Sequence, residues 1–237
     1  MNQSSINSSD LIRAFIKKAG LKQEIYQNTF KVFSQFRTLS EKFISGNNMK
    51  VGQAKYHLLF EYEDRGDFQF MLKFGSDVLI FMMHTNVFEF PRDHEVMKTD
   101  YIRQDKLRSY CGNIMIFNFL ADSFRYNRSN DLGYLIGRVF VNREQHYFVE
   151  GKKEVGLLYN NFPHSIINQK TIRSIIHSSI LYTINFDLLT PPFDDQKEVT
   201  LQEMQTQLDT MSLRTGKRIG FRFQADEVEQ NGTGKIL

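Results

Sequence analysis

The chain has 237 residues, 41% of them hydrophobic and 24% charged, with 22 Phe, 10 Tyr, no Trp, a single Cys and a net charge of +3. A chain of this length buries about 70–75% of its extended surface, so its core needs neither disulfide nor metal. Its lone Cys111 excludes an internal disulfide and any multi-cysteine zinc site, and so small a basic excess makes nucleic acid an unexpected partner.

The polar start, residues 1–7, predicts a disordered terminus. Ser8 or Ser9 caps a short expected helix carrying Leu11, Ile12, Phe15 and Ile16, closed by Gly20. A second, longer helix is expected over 22–45, ending at Gly46-Asn47-Asn48. Its residues Ile25, Val32, Phe36, Leu39 and Phe43 fall on one face, and Phe30, Phe33 and Ile44 widen that stripe beyond a coiled-coil seam. Phe30, Phe33, Phe36 and Phe43 are therefore the candidate interface residues, since a stripe this wide serves either a core or a partner.

The middle of the chain predicts strands. Residues 56–62, 68–74 and 78–90 are separated by the turn sequences Glu63-Asp64-Arg65-Gly66-Asp67 and Gly75-Ser76-Asp77. Connections this short require antiparallel pairing. In 68–74, Phe68, Phe70, Leu72 and Phe74 alternate with Gln69, Met71 and Lys73, which buries one face. A polar stretch over 91–109 precedes a fourth strand at 111–120, and segments 132–141, 147–150 and 155–159 predict a second meander.

Helix then returns. Asn168 caps a segment with Ile172, Ile175, Ile176, Ile180, Ile184 and Leu188 at helical spacing, stopped by Pro191-Pro192. Thr200 and Glu203 form a capping-box pattern ahead of Leu201, Met204, Leu208 and Met211, ended by Gly216. A last strand is expected at 218–224 and a disordered tail at 225–237. The fold class is α+β: one domain over 8–224, an antiparallel β-meander sheet flanked by N-terminal and C-terminal helices.

Chemistry leaves weaker marks. An apolar strand ending in Glu150-Gly151-Lys152, with Asp131 upstream, has the Asp…Glu-x-Lys order of two-carboxylate metal-dependent nucleases. The same residues serve equally as a charged turn. The donor-rich stretch 123–131 interleaves Arg125 and Arg128 with Phe124 and Tyr126. With Arg138 on the neighbouring strand, Arg125, Tyr126 and Arg128 form the candidate ligand site, two guanidinium forks for an anion and a ring for stacking. No histidine pair has metal-ligand spacing, so no metal and no cofactor is expected.

Residues 1–10 carry no hydrophobic signal core, and the apolar run 78–88 is about half of a membrane span, interrupted by His84 and Asn86. With one thiol, the cytoplasm is the expected compartment. The expected function is a non-catalytic protein-binding, scaffold or assembly subunit that engages a protein partner or itself. The alternatives are a small-ligand or nucleotide-binding module and, behind it, a metal-dependent phosphodiesterase or nuclease.

Overall fold

A computed structural model describes residues 7–53, 55–56, 58–152, 155–156, 161–187, 192, 198 and 200–202. Residues 1–6 of the expected disordered start, the tail at 225–237, the strand at 218–224, residues 157–159 and the amphipathic segment beyond residue 202 lie outside them, while Asn7 caps the first helix, its Oδ1 accepting from Ser9 N at 3.2 Å.

The order of elements is α1 (Ser8–Gly52), β1 (Phe60–Asp64), β2 (Gln69–Phe74), β3 (Asp77–Glu89), α2 (Asp100–Gln104), β4 (Tyr110–Leu120), α3 (Ala121–Arg125), β5 (Tyr134–Asn142), β6 (Tyr147–Gly151) and α4 (Gln169–Ile184). The strands form one six-stranded sheet in the order β1-β2-β3-β4-β5-β6, every pair antiparallel. This is the α+β class that the pattern predicts, but the two expected meanders are one continuous sheet. β3 and β4 pair directly, and the polar stretch between them folds into α2 and the 3-10 turns Glu95–Lys98 and Lys106–Ser109.

The two helices expected over 8–45 are likewise a single helix. Gly20 and Gly46 both sit inside α1 with open space where a Cβ would lie. A helix-interior glycine costs only about 1 kcal/mol relative to Ala, and the packing of Leu21, Ile25, Val32, Phe33 and Phe36 more than offsets it. Asn48 prolongs the helix usefully. Its Nδ2 donates to Phe60 O at 2.8 Å and its Oδ1 accepts from Phe60 N at 2.9 Å, which pins the start of β1. Asn168 caps α4 as expected, its Oδ1 accepting from Thr171 N at 3.0 Å.

Strand alternation divides the side chains between two faces. Phe70, Leu72, Leu79, Phe81, Ile114, Ile116, Val139 and Val149 face α1 and α4, where Phe33 packs on Phe70 and Phe36 on Phe81. Helix and sheet come closest at Gly112, where a Cβ would stand 2.0 Å from Thr29 Oγ1. That hydroxyl is itself held, donating to Ile25 O at 2.7 Å.

Among the described residues, the other face is covered at its two ends. Phe90, Val96, Ile102 and Phe162 cover Cys111 and Phe140, while α3 lays Ala121 and Phe124 near Val78 and Ile80. The first cover is latched by a polar cluster. Tyr101 Oη donates to Glu144 Oε2 at 2.8 Å, Arg108 Nε to Glu144 Oε1 at 3.0 Å, and Asn142 Nδ2 to Tyr101 Oη at 2.9 Å. Burial pushes the Tyr101 phenol well above its ordinary range, and Glu144 adds to that, so it remains a donor. Burial alone would raise the Glu144 carboxyl, but the hydrogen bonds from Tyr101 and Arg108 and the charges of Arg108 and Arg143 hold it below the usual range.

Two outcomes follow from these contacts. Gly112→Ala forces a methyl into the bonded Thr29 side chain and should lower unfolding stability by roughly 1–3 kcal/mol in urea titrations, the range for overpacking. Because the folded Glu144 carboxyl lies below its unfolded value, its contribution is complete above the unfolded pKa of about 4.3 and is lost as pH falls through the folded one. Glu144→Gln should therefore weaken the protein at neutral pH and flatten the acid limb of its stability curve, followed by thermal melts from pH 7 downward.

Candidate functional site

Beside the first cover, the second face carries a cavity of about 290 Å³ lined by Phe88, Glu89, Phe90, Pro91, His94, Cys111, Asn113, Arg138, Phe140 and Glu150. It exists because β3 breaks register. His84 pairs with Asn113 and Phe88 with Cys111, so 85–87 stand against Gly112 alone. A bulge of this kind bends its strand and re-aims the side chains beyond it. Phe88 and Glu89 then form one wall, and the chain turns at Pro91 to set His94 over Phe90, ring centroids 4.7 Å apart at 28°.

Asn113 is among the lining residues, 6% exposed, and its Oδ1 is buried away from the space without a hydrogen-bond partner. Cys111 beside it is 1% exposed, and burial pushes its thiol far up, so it stays a protonated, apolar surface. At the rim, Arg138 Nε donates to Glu150 Oε2 at 2.7 Å, while the Glu89 carboxylate turns to the α1 side, where Tyr110 Oη donates to its Oε2 at 2.6 Å.

The candidate residues drawn from sequence do not converge here. Arg138 and Glu150 pair across β5 and β6 and line this cavity. Arg128 and Asp131 line another, of about 390 Å³, with Ser123, Phe124 and Asn127. Lys152 lies beside a third small cavity with Tyr134 and Phe186. Asp131, Glu150 and Lys152 thus face three separate spaces, and among the described residues no group of three His, Cys, Asp or Glu could hold a metal ion. Arg125 and Asp122 sit 3.8 Å apart as an exposed pair, and Tyr126 closes the turn after α3, its N–H bonded to Asp122 O at 3.0 Å. Arg128 is nearly buried, 2.8 Å from Asp131, whose Oδ2 also accepts from Ser123 Oγ at 2.6 Å.

Of the candidate interface residues, Phe33 and Phe36 are fully buried on the sheet of their own chain, while Phe30 and Phe43 are half-buried against Phe68 and Phe60. The exposed apolar surface of α1 lies elsewhere. Leu11, Ile12, Phe15 and Ile16 are 60%, 54%, 69% and 63% exposed, on a stretch in which every residue from Ser8 to Gly20 is exposed. The first buried position is Leu21, so the preceding 13 residues project as an arm of about 20 Å. At its base Lys18 Nζ lies 3.6 Å from the Tyr110 ring centroid.

In comparisons with known proteins the chain matches no family model, no curated protein and no solved structure. No helix among the described residues is long and apolar enough to cross a membrane.

The two arginines of the donor-rich turn should behave oppositely. Arg128→Ala strands the Asp131 carboxylate and should cost about 2–4 kcal/mol, toward the lower side of a broken buried pair because Asp131 keeps some solvent. Arg125→Ala should stay within about 0.5 kcal/mol, as expected of an exposed pair. Chemical denaturation of both variants makes the comparison.

Proposed function

We propose that the chain is a non-catalytic assembly subunit that joins copies of itself through the N-terminal arm of α1. One observation carries the reading. Four large apolar side chains, Leu11, Ile12, Phe15 and Ile16, share one side of a projecting helix and are more than half exposed. Burying such side chains is worth about 1.5–3 kcal/mol each, which is on the order of the entropic cost of association.

Charge selects the occupant. Over 8–22 the arm carries Arg13, Lys17, Lys18 and Lys22 against Asp10 alone, so pairing arm on arm would bring like charges together. The segment 198–213 has the complementary composition: Leu201, Met204, Leu208 and Met211 at helical spacing, with Glu198, Glu203 and Asp209 and no cation. Leu201 is 76% exposed.

A second copy is the donor in this reading, because Leu201 and the arm of the same chain are both left exposed.

Light scattering coupled to size exclusion should show the full chain as a dimer or larger at micromolar concentration. Phe15→Glu with Ile16→Glu should give a monomer of unchanged circular dichroism, and a synthetic peptide of residues 198–213 should bind wild type and not that variant. A monomeric wild type sinks the reading. If the monomer also loses melting temperature on the same substitutions, the arm is covered from within its own chain.

A further inference from the structure

We propose that residues 218–224 of the same chain add to the outer edge of β1 as a seventh, flanking strand of the sheet. The proposal does not depend on what covers the arm.

The register of the first hairpin locates the open edge. Arg65 N donates to Gln69 O at 3.1 Å, so 65 and 69 are a hydrogen-bonded pair, and such pairs alternate along an antiparallel ladder. Glu61 and Glu63 therefore turn their backbone groups toward β2, while Phe60, Tyr62 and Asp64 turn theirs outward. Asn48 already takes both outward groups of Phe60, at 2.8 and 2.9 Å. Those of Tyr62 and Asp64 have no hydrogen-bond partner among the described residues. The far edge differs. Beside β6 runs 165–167, with Tyr147 N donating to Ser165 O at 3.1 Å and a bridge between His146 and Ile166. β1 is thus the edge that presents free backbone groups to a further strand.

The two faces of β1 select the occupant. Phe60 and Tyr62 lie half-buried on the α1 face, where Phe43 stands 5.5 Å from Phe60. Glu61 and Glu63 alternate with them on the opposite face, their side chains 61% and 55% exposed. Residues 218–224 have the same two-sidedness with the opposite charge, Ile219, Phe221 and Phe223 alternating with Arg218, Gly220 and Arg222. Paired in one parity, the apolar set extends the row of Phe60 and Tyr62, and the arginines fall beside Glu61 and Glu63, where opposite charges on neighbouring strands attract. A slip of one residue would turn the arginines under α1, so the parity is specified. Lys73 and Arg65 already pair with these two acids, but the exposure of both carboxylates leaves room for a second cation.

Reach sets no obstacle. α4 ends near β5, where Phe186 packs on Tyr134, and four strand spacings from there to β1 amount to about 19 Å. The chain from Asp187 to Arg218 extends to about 100 Å.

The test is amide hydrogen exchange, followed residue by residue by NMR on the full chain and on full-length variants. The Glu61 and Glu63 amides, bonded to β2, are the internal reference and should be protected in every folded form. The Tyr62 and Asp64 amides should be protected in the wild type as well. They should exchange at least tenfold faster in Phe221→Pro, which removes a ladder donor from the incoming strand. Arg218→Glu with Arg222→Glu should release the same two amides by setting like charges against Glu61 and Glu63. That variant decides the matter should the reference amides show that Phe221→Pro has not folded. Tyr62 and Asp64 amides that exchange as fast in the wild type as in the folded variants would overturn the proposal. So would protection that fades on tenfold dilution, which assigns the strand to a second copy.

Discussion

The fold hangs on the approach of α1 to the sheet at Gly112. Thr29 meets the backbone there with no Cβ between them, and the turns on either side set Ile25, Val32, Phe33 and Phe36 into the face of β2, β3 and β4. Any side chain at 112 would lift the helix and loosen every one of those contacts at once, since a packed interior has no slack to absorb a methyl. The same seating fixes how much of α1 the sheet can cover. The helix enters contact at Leu21 and Lys18 touches Tyr110 at the sheet's end, so whatever precedes them is left in solvent.

The two faces of the sheet then take different roles. The helix face is dry and closed, filled by stacked and tilted Phe pairs such as Phe70 on Phe81, centroids 4.7 Å apart and nearly parallel. The opposite face is covered at each end by a different device, the latched 90–109 crossing and the short α3.

The strands were legible because alternation of large apolar and polar side chains has a period that survives in any context. Phe70, Leu72 and Phe74 announce β2 without help from the rest of the chain. Helix ends were less legible, because Gly20 and Gly46 are stop signals only where packing does not override them, and here α1 continues through both. The wide Phe stripe marks one face of α1. Whether it met a sheet or a partner depended on strands far along the chain, and Phe33 and Phe36 meet the sheet. The cavity was hidden for a stronger reason. It depends on a register slip between His84 and Phe88 and on where residues 90–94 turn, and neither leaves a periodic trace. The pairing of Arg138 with Glu150 is cross-strand, and spacing along one strand does not show it.

Because each described strand pairs with its neighbour in sequence, the six-stranded sheet can zip up hairpin by hairpin, its longest closure among the described strands being the 90–109 crossing. Local closures of this sort are fast. α1 is the exception, since Thr29 waits for Gly112, which the ribosome adds 83 residues later. Phe33 and Phe36 find Phe70 and Phe81 earlier, once β2 and β3 have been made, but until then the nascent chain displays them on a segment that already has strong reason to be helical. The first helix of this protein is thus an apolar surface exposed during synthesis, covered in stages as the strands arrive and seated only by the fourth.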